Sequence, residues 1–392
     1  MKPIHLSASV LLTALAFNAQ ADAITDWNLK AADFVAEAKL GTPPAMRLMA
    51  MAQTAAHDAV ANSQQAGVSA EAAIAASQRS VFLKMLPAQQ AGVEAAYNQA
   101  MASIAEGPAK AAGIAAGEMA AAELLARRLS DGASTPEAYR PQTTPGSYVP
   151  TAGVAVPQWS QRKPWLMASA AQFRPGPPPA LGSEQWSRDF NEVKAFGARN
   201  STQRSAEQTD VARFWEYSLP SIYHGVLRSV ALQPGRSLAS NARLFAVSAQ
   251  AMDDALIAVF DAKYHYGFWR PVTAIRNGDN DGHHATEREG SWASLIEAPM
   301  HPEFPSGHSI LASTVATVIK AELGAGAVPQ LTTSSPTAKG ATRRWASTDE
   351  FVREVSNARV WGGIHFRSAT DTGEAMGRQI GELAAKQLGA SR

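Results

Sequence analysis

"HPEFPSGHSI", residues 301–310, is where a loop gives way to a helix, and its reading decides the fold. Pro305 and Ser306 mark the helix start, since a serine hydroxyl caps free amides and proline suits the entry to a helix. Behind them Ile310, Leu311, Val315, Val318 and Ile319 recur at helical spacing. Capping needs only the serine, so Gly307 and His308 ask for another reason. A glycine has no side chain to keep a ligand off the backbone, and the N–H groups of a first helical turn point outward as a ready anion site. A histidine on that turn stands beside whatever anion is bound.

Two further breaks have the same character. The periodic stretch "SNARLFAVSAQAMDDALIAVFDAKY" (240–264) ends near Lys263 and runs into "YHYGFWRP", where Gly267 suits a helix end and Pro271 the first turn of the next. Lys263 and Arg270 therefore flank an interruption that can aim both cations into one cleft. In "NARVWGGIHFRSATDTG" (357–373), Arg359 and His365 would face different sides of an unbroken helix, which turns every 3.6 residues. Gly362 and Gly363 break it. The histidine nitrogen and the planar donor fork of the arginine can then converge on one centre.

Lys-x6-Arg-Pro, Pro-Ser-Gly-His and Arg-x5-His stand in that order along the chain. Lys263, Arg270, Pro271, Pro305, Ser306, Gly307, His308, Arg359 and His365 resemble the three-part signature shared by vanadium-dependent haloperoxidases and type-2 phosphatidic acid phosphatases. The likeness covers residues 240–390, and a looser likeness to the soluble haloperoxidase-like branch extends through "FRPGPPPALGSEQW" and "RSAEQTDVARFW". The resemblance implies a helical bundle of the acid phosphatase/vanadium haloperoxidase type. It implies that Lys263, Arg270 and Arg359, the Ser306 hydroxyl and the Gly307 amide hold the oxygens of vanadate or phosphate. His365 would be the axial nitrogen, a metal ligand in a peroxidase and a nucleophile in a phosphatase, and His308 the acid/base group. In one respect the chain departs from the pattern. The aspartate that orients the axial histidine is usual four residues after it, where this chain has Ala369, with Asp371 six residues on. If Asp371 does not serve, a backbone carbonyl or another carboxylate must hold the ring.

The peroxidase reading is favoured over a soluble phosphatase working through a phospho-histidine. The mature chain lacks the membrane helices of the lipid phosphatases, and its Pro-rich and upstream segments resemble the haloperoxidase-like branch. His301 stands five residues before Ser306, a position that resembles bromoperoxidases, whereas chloroperoxidases tend to carry an aromatic there. The partners so implied are hydrogen peroxide and a halide, bromide favoured, with vanadate as cofactor, or else a phosphate ester and no cofactor.

The rest of the chain sets the frame. Its 392 residues are 46% hydrophobic and 18% charged, enough for a large buried core. Thirty-five basic against 34 acidic residues leave a net charge of +1, which gives no field for nucleic acid. With no cysteine there are no disulfides and no thiolate chemistry. The first 23 residues combine a basic head, an apolar run from Leu6 to Phe17 and small residues at Ala19, Ala21 and Ala23. They read as a signal peptide cleaved after Ala21 or Ala23, and so as export to the periplasm or beyond. No later window is long and apolar enough to span a membrane.

Alanine-rich helical patterns follow over 24–140, and a Pro-rich extended strap over 141–182 carries Trp159, Trp165 and Phe173 to pack it on the body. Helical periodicity resumes over 183–392 as the catalytic bundle, and residues 24–392 read as one compact, mainly α unit with homo-oligomerisation left open. "NGDNDGHHATERE" (277–289) places Asp279, Asp281 and Gly282 at calcium-loop spacing, but Arg288 stands where a bidentate glutamate is needed, and the pair His283 and His284 reads as exposed filler.

Overall fold

The structure is a computed structural model describing residues 22–389, so the signal-peptide reading of the first 23 residues lies outside it except at Asp22 and Ala23. Asp22 caps α1 (Ala23–Glu37) through a reciprocal box with Thr25, and its other carboxylate oxygen accepts a bond from Asn241 at 2.8 Å. α2 (Thr42–Asn62) opens with Pro43 and Pro44 and is apolar on nearly every face, as a helix inside a core must be. α3 (Ala70–Met85), α4 (Gln90–Ala102) and α5 (Pro108–Arg128) complete an alanine-rich layer in which α2, α3 and α5 pack on one another.

After the strap come α6 (Glu184–Phe196), α7 (Ala206–Phe214) and α8 (Pro220–Ala231). Then α9 (Leu238–Tyr266) runs 29 residues, roughly 43 Å at 1.5 Å per residue. It packs on α2 and is buried along most of its length. Gly267, at φ +58°, stops it in the left-handed conformation that glycine takes without strain. The short α10 (Pro271–Arg276) follows, and a long loop leads to α11 (Gly307–Leu323).

An antiparallel hairpin of β1 (Leu331–Ser335) and β2 (Ala341–Trp345) pairs Leu331 with Trp345 and lies against α8. The sequence reading, which is mainly α, does not anticipate it. α12 (Thr348–Trp361) and α13 (Arg367–Gly389) end the described chain. A single apolar cluster runs from Trp27 of α1 through Met49, Phe245 and Leu311 to Ile380 of α13.

α11 and α13 lie unusually close. A Cβ on Gly373 would stand 2.7 Å from the Ser306 carbonyl oxygen, and one on Gly377 would run into that of Ile310. Glycine at these positions is what lets α13 approach the start of α11, and so fixes the loop that carries the anion signature.

The strap packs on the body through Trp159, which is buried, and through the half-buried Trp165 and Phe173. It is latched to α9 by charge. Arg162 donates to both oxygens of Asp253 at 2.7 and 2.8 Å and to Asp131 at 2.8 Å, while Trp165 Nε1 donates to Asp253 at 2.8 Å. The next residue, Asp254, accepts the amides of Trp165, Leu166 and Met167. Removing one member of such a buried pair leaves the other charged and unsolvated. Asp253→Ala should therefore cost about 3–5 kcal/mol of stability, read as a fall in the denaturant midpoint; a loss under about 1 kcal/mol would show that the latch contributes little.

Candidate active site

The three breaks meet. Lys263 lies in the last turn of α9, Arg270 is the N-cap of α10, Ser306 is the N-cap of α11, and Arg359 lies in the last turn of α12. Gly363, at φ +77°, turns the chain so that His365 comes back beside Arg359, with the His365 amide donating to the Arg359 carbonyl at 3.3 Å. A cavity of about 390 Å³ is lined by His301, Gly307, His308, Arg359 and His365. Lys263, Arg270 and Ser306 are all but fully buried, and Arg270 bonds to His301 of the lining.

Each of these groups is held. Lys263 Nζ donates to the carbonyls of Pro302, Glu303 and Pro305 at 2.9, 2.8 and 2.5 Å, so its three protons brace the loop that precedes α11. Arg270 donates from Nε to the His301 carbonyl at 2.9 Å, from Nη1 to the Ile364 carbonyl at 2.8 Å and from Nη2 to His301 Nδ1 at 3.0 Å. Arg359 donates from Nη1 to the Trp215 carbonyl, and its buried Nε has no partner. The Ser306 hydroxyl accepts from Ser309, and its amide donates to the carbonyl of Ala369 at 2.9 Å. His308 Nε2 donates to the Tyr217 carbonyl at 3.3 Å, which leaves the lone pair on Nδ1.

The group that orients His365 is Glu303, the "another carboxylate" that the sequence leaves open. Its Oε1 accepts from His365 Nδ1 at 2.7 Å and from the Phe366 amide at 2.9 Å. Arg270 Nη1 stands 3.4 Å from Nε2 and can only donate. Both contacts specify one tautomer, with the proton on Nδ1 and the lone pair on Nε2. Asp371 does not take this role: it is exposed, and its electrostatic neighbours are Arg367, Asp189 and Glu192. The position lacking the usual aspartate, Ala369, still serves through its carbonyl, which pins Ser306. In the calcium-like loop, Asp281 accepts from Trp186 Nε1 at 2.7 Å and from the Thr286 hydroxyl, so its carboxylate braces the fold.

The electrostatics are those of a site short of negative charge. Burial, then the neighbouring Arg270, pushes Lys263 well below the usual lysine range, and burial pulls Arg270 and Arg359 each down to about 10. His365 is held well below the ordinary histidine value by burial and then by Arg270 and Lys263, and His308 by burial and then by Arg359, so both rings are neutral. Burial raises Glu303 to about 7 against the pull of Arg270 and Lys263. Lys263 and Arg270 both act on Glu303, Arg359 has Arg270 and Glu216 as its charged neighbours, and all three basic groups are buried. A bound tetrahedral oxyanion meets that deficit, the orphaned Nε of Arg359 and the first amides of α11, which have no partners within the helix.

Residues 243–391 match the protein family described as the second helical-bundle domain of VCPO. Among curated proteins, vanadium chloroperoxidase of Curvularia inaequalis is 28% identical over 149 aligned residues, 31% of this chain and 24% of that protein. Among solved structures, a bacterial vanadium-dependent iodoperoxidase superposes with a TM-score of 0.79 over 93% of this chain and 96% of its own, at 22% identity. The chain has the vanadium-haloperoxidase fold. A bacterial vanadium-dependent chloroperoxidase shares the haloperoxidase fold as well, at a TM-score of 0.73, 19% identity and 88% and 92% of the two chains. The match spans about a quarter of the length of that curated relative.

Reasoning from sequence missed three groups at the site: Glu303 and the carbonyls of Trp215 and Tyr217. Only Glu303 left a signal, as the one carboxylate in residues 301–310.

Proposed function

We propose that this chain is an exported vanadium haloperoxidase that oxidises halide, bromide by preference, with hydrogen peroxide. The observation that carries the reading is the geometry of His365: a neutral ring clamped at Nδ1 by Glu303, with the Nε2 lone pair facing a buried group of cations. Arg359 and the amides of Gly307 and His308 would hold vanadate oxygens directly, with Ser306 beside them. Lys263 and Arg270 would supply positive charge, and His365 Nε2 would be the nitrogen that holds the group. Vanadate, when bound, supplies a Lewis-acidic centre that activates peroxide toward halide without changing its own oxidation state.

The chain's own groups do the rest. His308, neutral and with its lone pair on Nδ1, would accept a proton from peroxide at Nδ1 and release it again from the same atom. Glu303 keeps His365 from rotating and from carrying its proton on Nε2. Ser306, pinned by Ala369, keeps the start of α11 at a fixed depth.

The deciding experiment assays the apo-protein in two arms: peroxide-dependent bromide oxidation after adding vanadate, and hydrolysis of a phosphate monoester without it. Bromide oxidation that depends on vanadate is the expected result. Hydrolysis without oxidation would make the chain a phosphatase, since the same free nitrogen can attack phosphorus, and neither activity would overturn an enzymatic reading.

The halide preference rests on His301, which lines the cavity and accepts from Arg270. His301→Phe should shift the ratio of bromide to chloride turnover toward chloride by about tenfold, the worth of one interaction of 1.4 kcal/mol. An unchanged ratio would remove the reason for bromide.

A further inference from the structure

The Ser306 hydroxyl is one end of a row of hydroxyls that crosses three helices. Its oxygen lies 3.0 Å from that of Ser309 in the first turn of α11, and Ser309 lies 3.0 Å from Ser356 of α12. Ser356 in turn stands 2.5 Å from Oε1 of Glu374 on α13. The three serines are buried, whereas Glu374 is half-buried and lines a polar surface groove with Lys320, Asp349, Arg353 and Arg378. That groove shares no residue with the cavity lined by His308 and His365. The row therefore joins the oxyanion cup to solvent by a second route.

A serine hydroxyl has one proton to donate. Ser356 has an acceptor on each side, Ser309 and Glu374, so the row has two settings. An ionised Glu374 only accepts and takes the proton of Ser356. Ser309 then turns its own proton to Ser356, and the proton of Ser306 fills the contact that is left. A protonated Glu374 donates to Ser356 instead, and each hydroxyl passes the donation inward until Ser306 accepts it. In this second setting the Ser306 oxygen accepts from both the hydroxyl and the amide of Ser309. Its own proton then meets no acceptor among the described residues and is free for a bound oxygen. A mixture of the two settings leaves lone pairs facing each other in a buried place, which is costly.

We infer that Glu374 is a remote acid switch for the oxyanion site, whose protonation, relayed through Ser356 and Ser309, frees the Ser306 hydroxyl to donate to the bound anion. The inference rests on the oxyanion reading of the site and adds its regulation. Glu374 takes one proton from solvent at the groove, and each serine keeps one proton and reorients it. Burial raises Glu374 above the ordinary glutamate value against the bond from Ser356, with Asp371 adding to the rise and Arg378 and Arg367 opposing it. From α11 comes Lys320, paired with Asp349 of α12 at 2.6 Å, and α12 also brings Arg353. On α6, Asp189 and Glu192 are committed to the Ser368 amide and to Arg367. Affinity for the anion is thus highest below the pKa of Glu374 and falls as pH rises through it.

The test is a calorimetric titration of the apo-protein with inorganic phosphate from about pH 5 to about pH 8. It compares the wild type with Glu374→Gln, whose amide donates to Ser356 as the protonated acid does. Taking the ratio of the two affinities at each pH cancels the titration of phosphate itself. The two should bind alike at the acid end, and the wild type roughly tenfold more weakly at the alkaline end, the size of one charge-assisted hydrogen bond. Ser309→Ala cuts the row, so in that background Glu374→Gln should change nothing at any pH; Ser356→Ala gives a second cut should the first variant not fold. A difference that persists in a folded cut variant would mean that the Glu374 charge acts through space, and would overturn the relay. A ratio independent of pH in the uncut chain would overturn the switch alone. A wild type that binds no phosphate at any pH would overturn the oxyanion site and this inference together.

Discussion

His365→Ala is expected to lower vanadate-dependent bromide oxidation by roughly a thousandfold or more, about 4 kcal/mol of barrier, while the helical circular dichroism is unchanged. The size of the effect follows from what the ring does alone. Arg359 and the α11 amides offer charge and hydrogen bonds that overlap in function, so the loss of one donor is shared. The described histidines around it have other roles: His301 commits its Nδ1 to Arg270, and the Nδ1 lone pair of His308, on the first turn of α11, is the one assigned to proton transfer. The fold should survive, because the backbone amide of His365 and that of Phe366 keep their acceptors, Arg359 and Glu303, without the imidazole. Activity retained at even a tenth of the wild-type rate would contradict the axial role.

Glu303→Ala is the second large effect. Losing the partner that fixes a ligating histidine typically costs 10–100-fold in metal affinity or activity, and here the same carboxylate also lies beside the buried Lys263 and Arg270. Removing it deepens the charge deficit, so stability should fall as well, by about 3–5 kcal/mol. The two effects separate in Glu303→Gln. An amide of the same shape still accepts from Nδ1 through its oxygen but carries no charge. The expected order of both vanadate affinity and kcat is wild type, then Gln, then Ala. Equal affinities across the three would show that Glu303 is structural only.

The expectations from sequence were good where chemistry is local and poor where it depends on what comes together in space. Long, evenly patterned helices such as α9 and α5 follow from spacing alone, and the helix breaks at Gly267, Ser306 and Gly363 follow from residues that have few other uses. The hairpin β1–β2 left little trace. β1 alternates weakly in serines and threonines, and all but the last residue of β2 is polar or small, with Ala341, Thr342 and Arg344 exposed, so no apolar face shows in the sequence. Glu303 showed only as a carboxylate near the signature, not as the partner of His365, for a different reason. It lies 62 residues from His365, and only the Gly363 turn and the close seam of α11 with α13 bring the two together. Lys263 was expected to point at the anion. Its bonds to three carbonyls of the 302–305 loop depend on the path of that loop, which no spacing rule supplies.

The most direct measurement is a calorimetric titration of the apo-protein with vanadate, repeated on Arg359→Ala and His365→Ala. The buried cup of cations predicts one vanadate per chain in the wild type, displaced by phosphate, and weaker binding in both variants. A wild type that binds no vanadate, or variants that bind it as tightly as the wild type, would mean that these side chains do not form an oxyanion site.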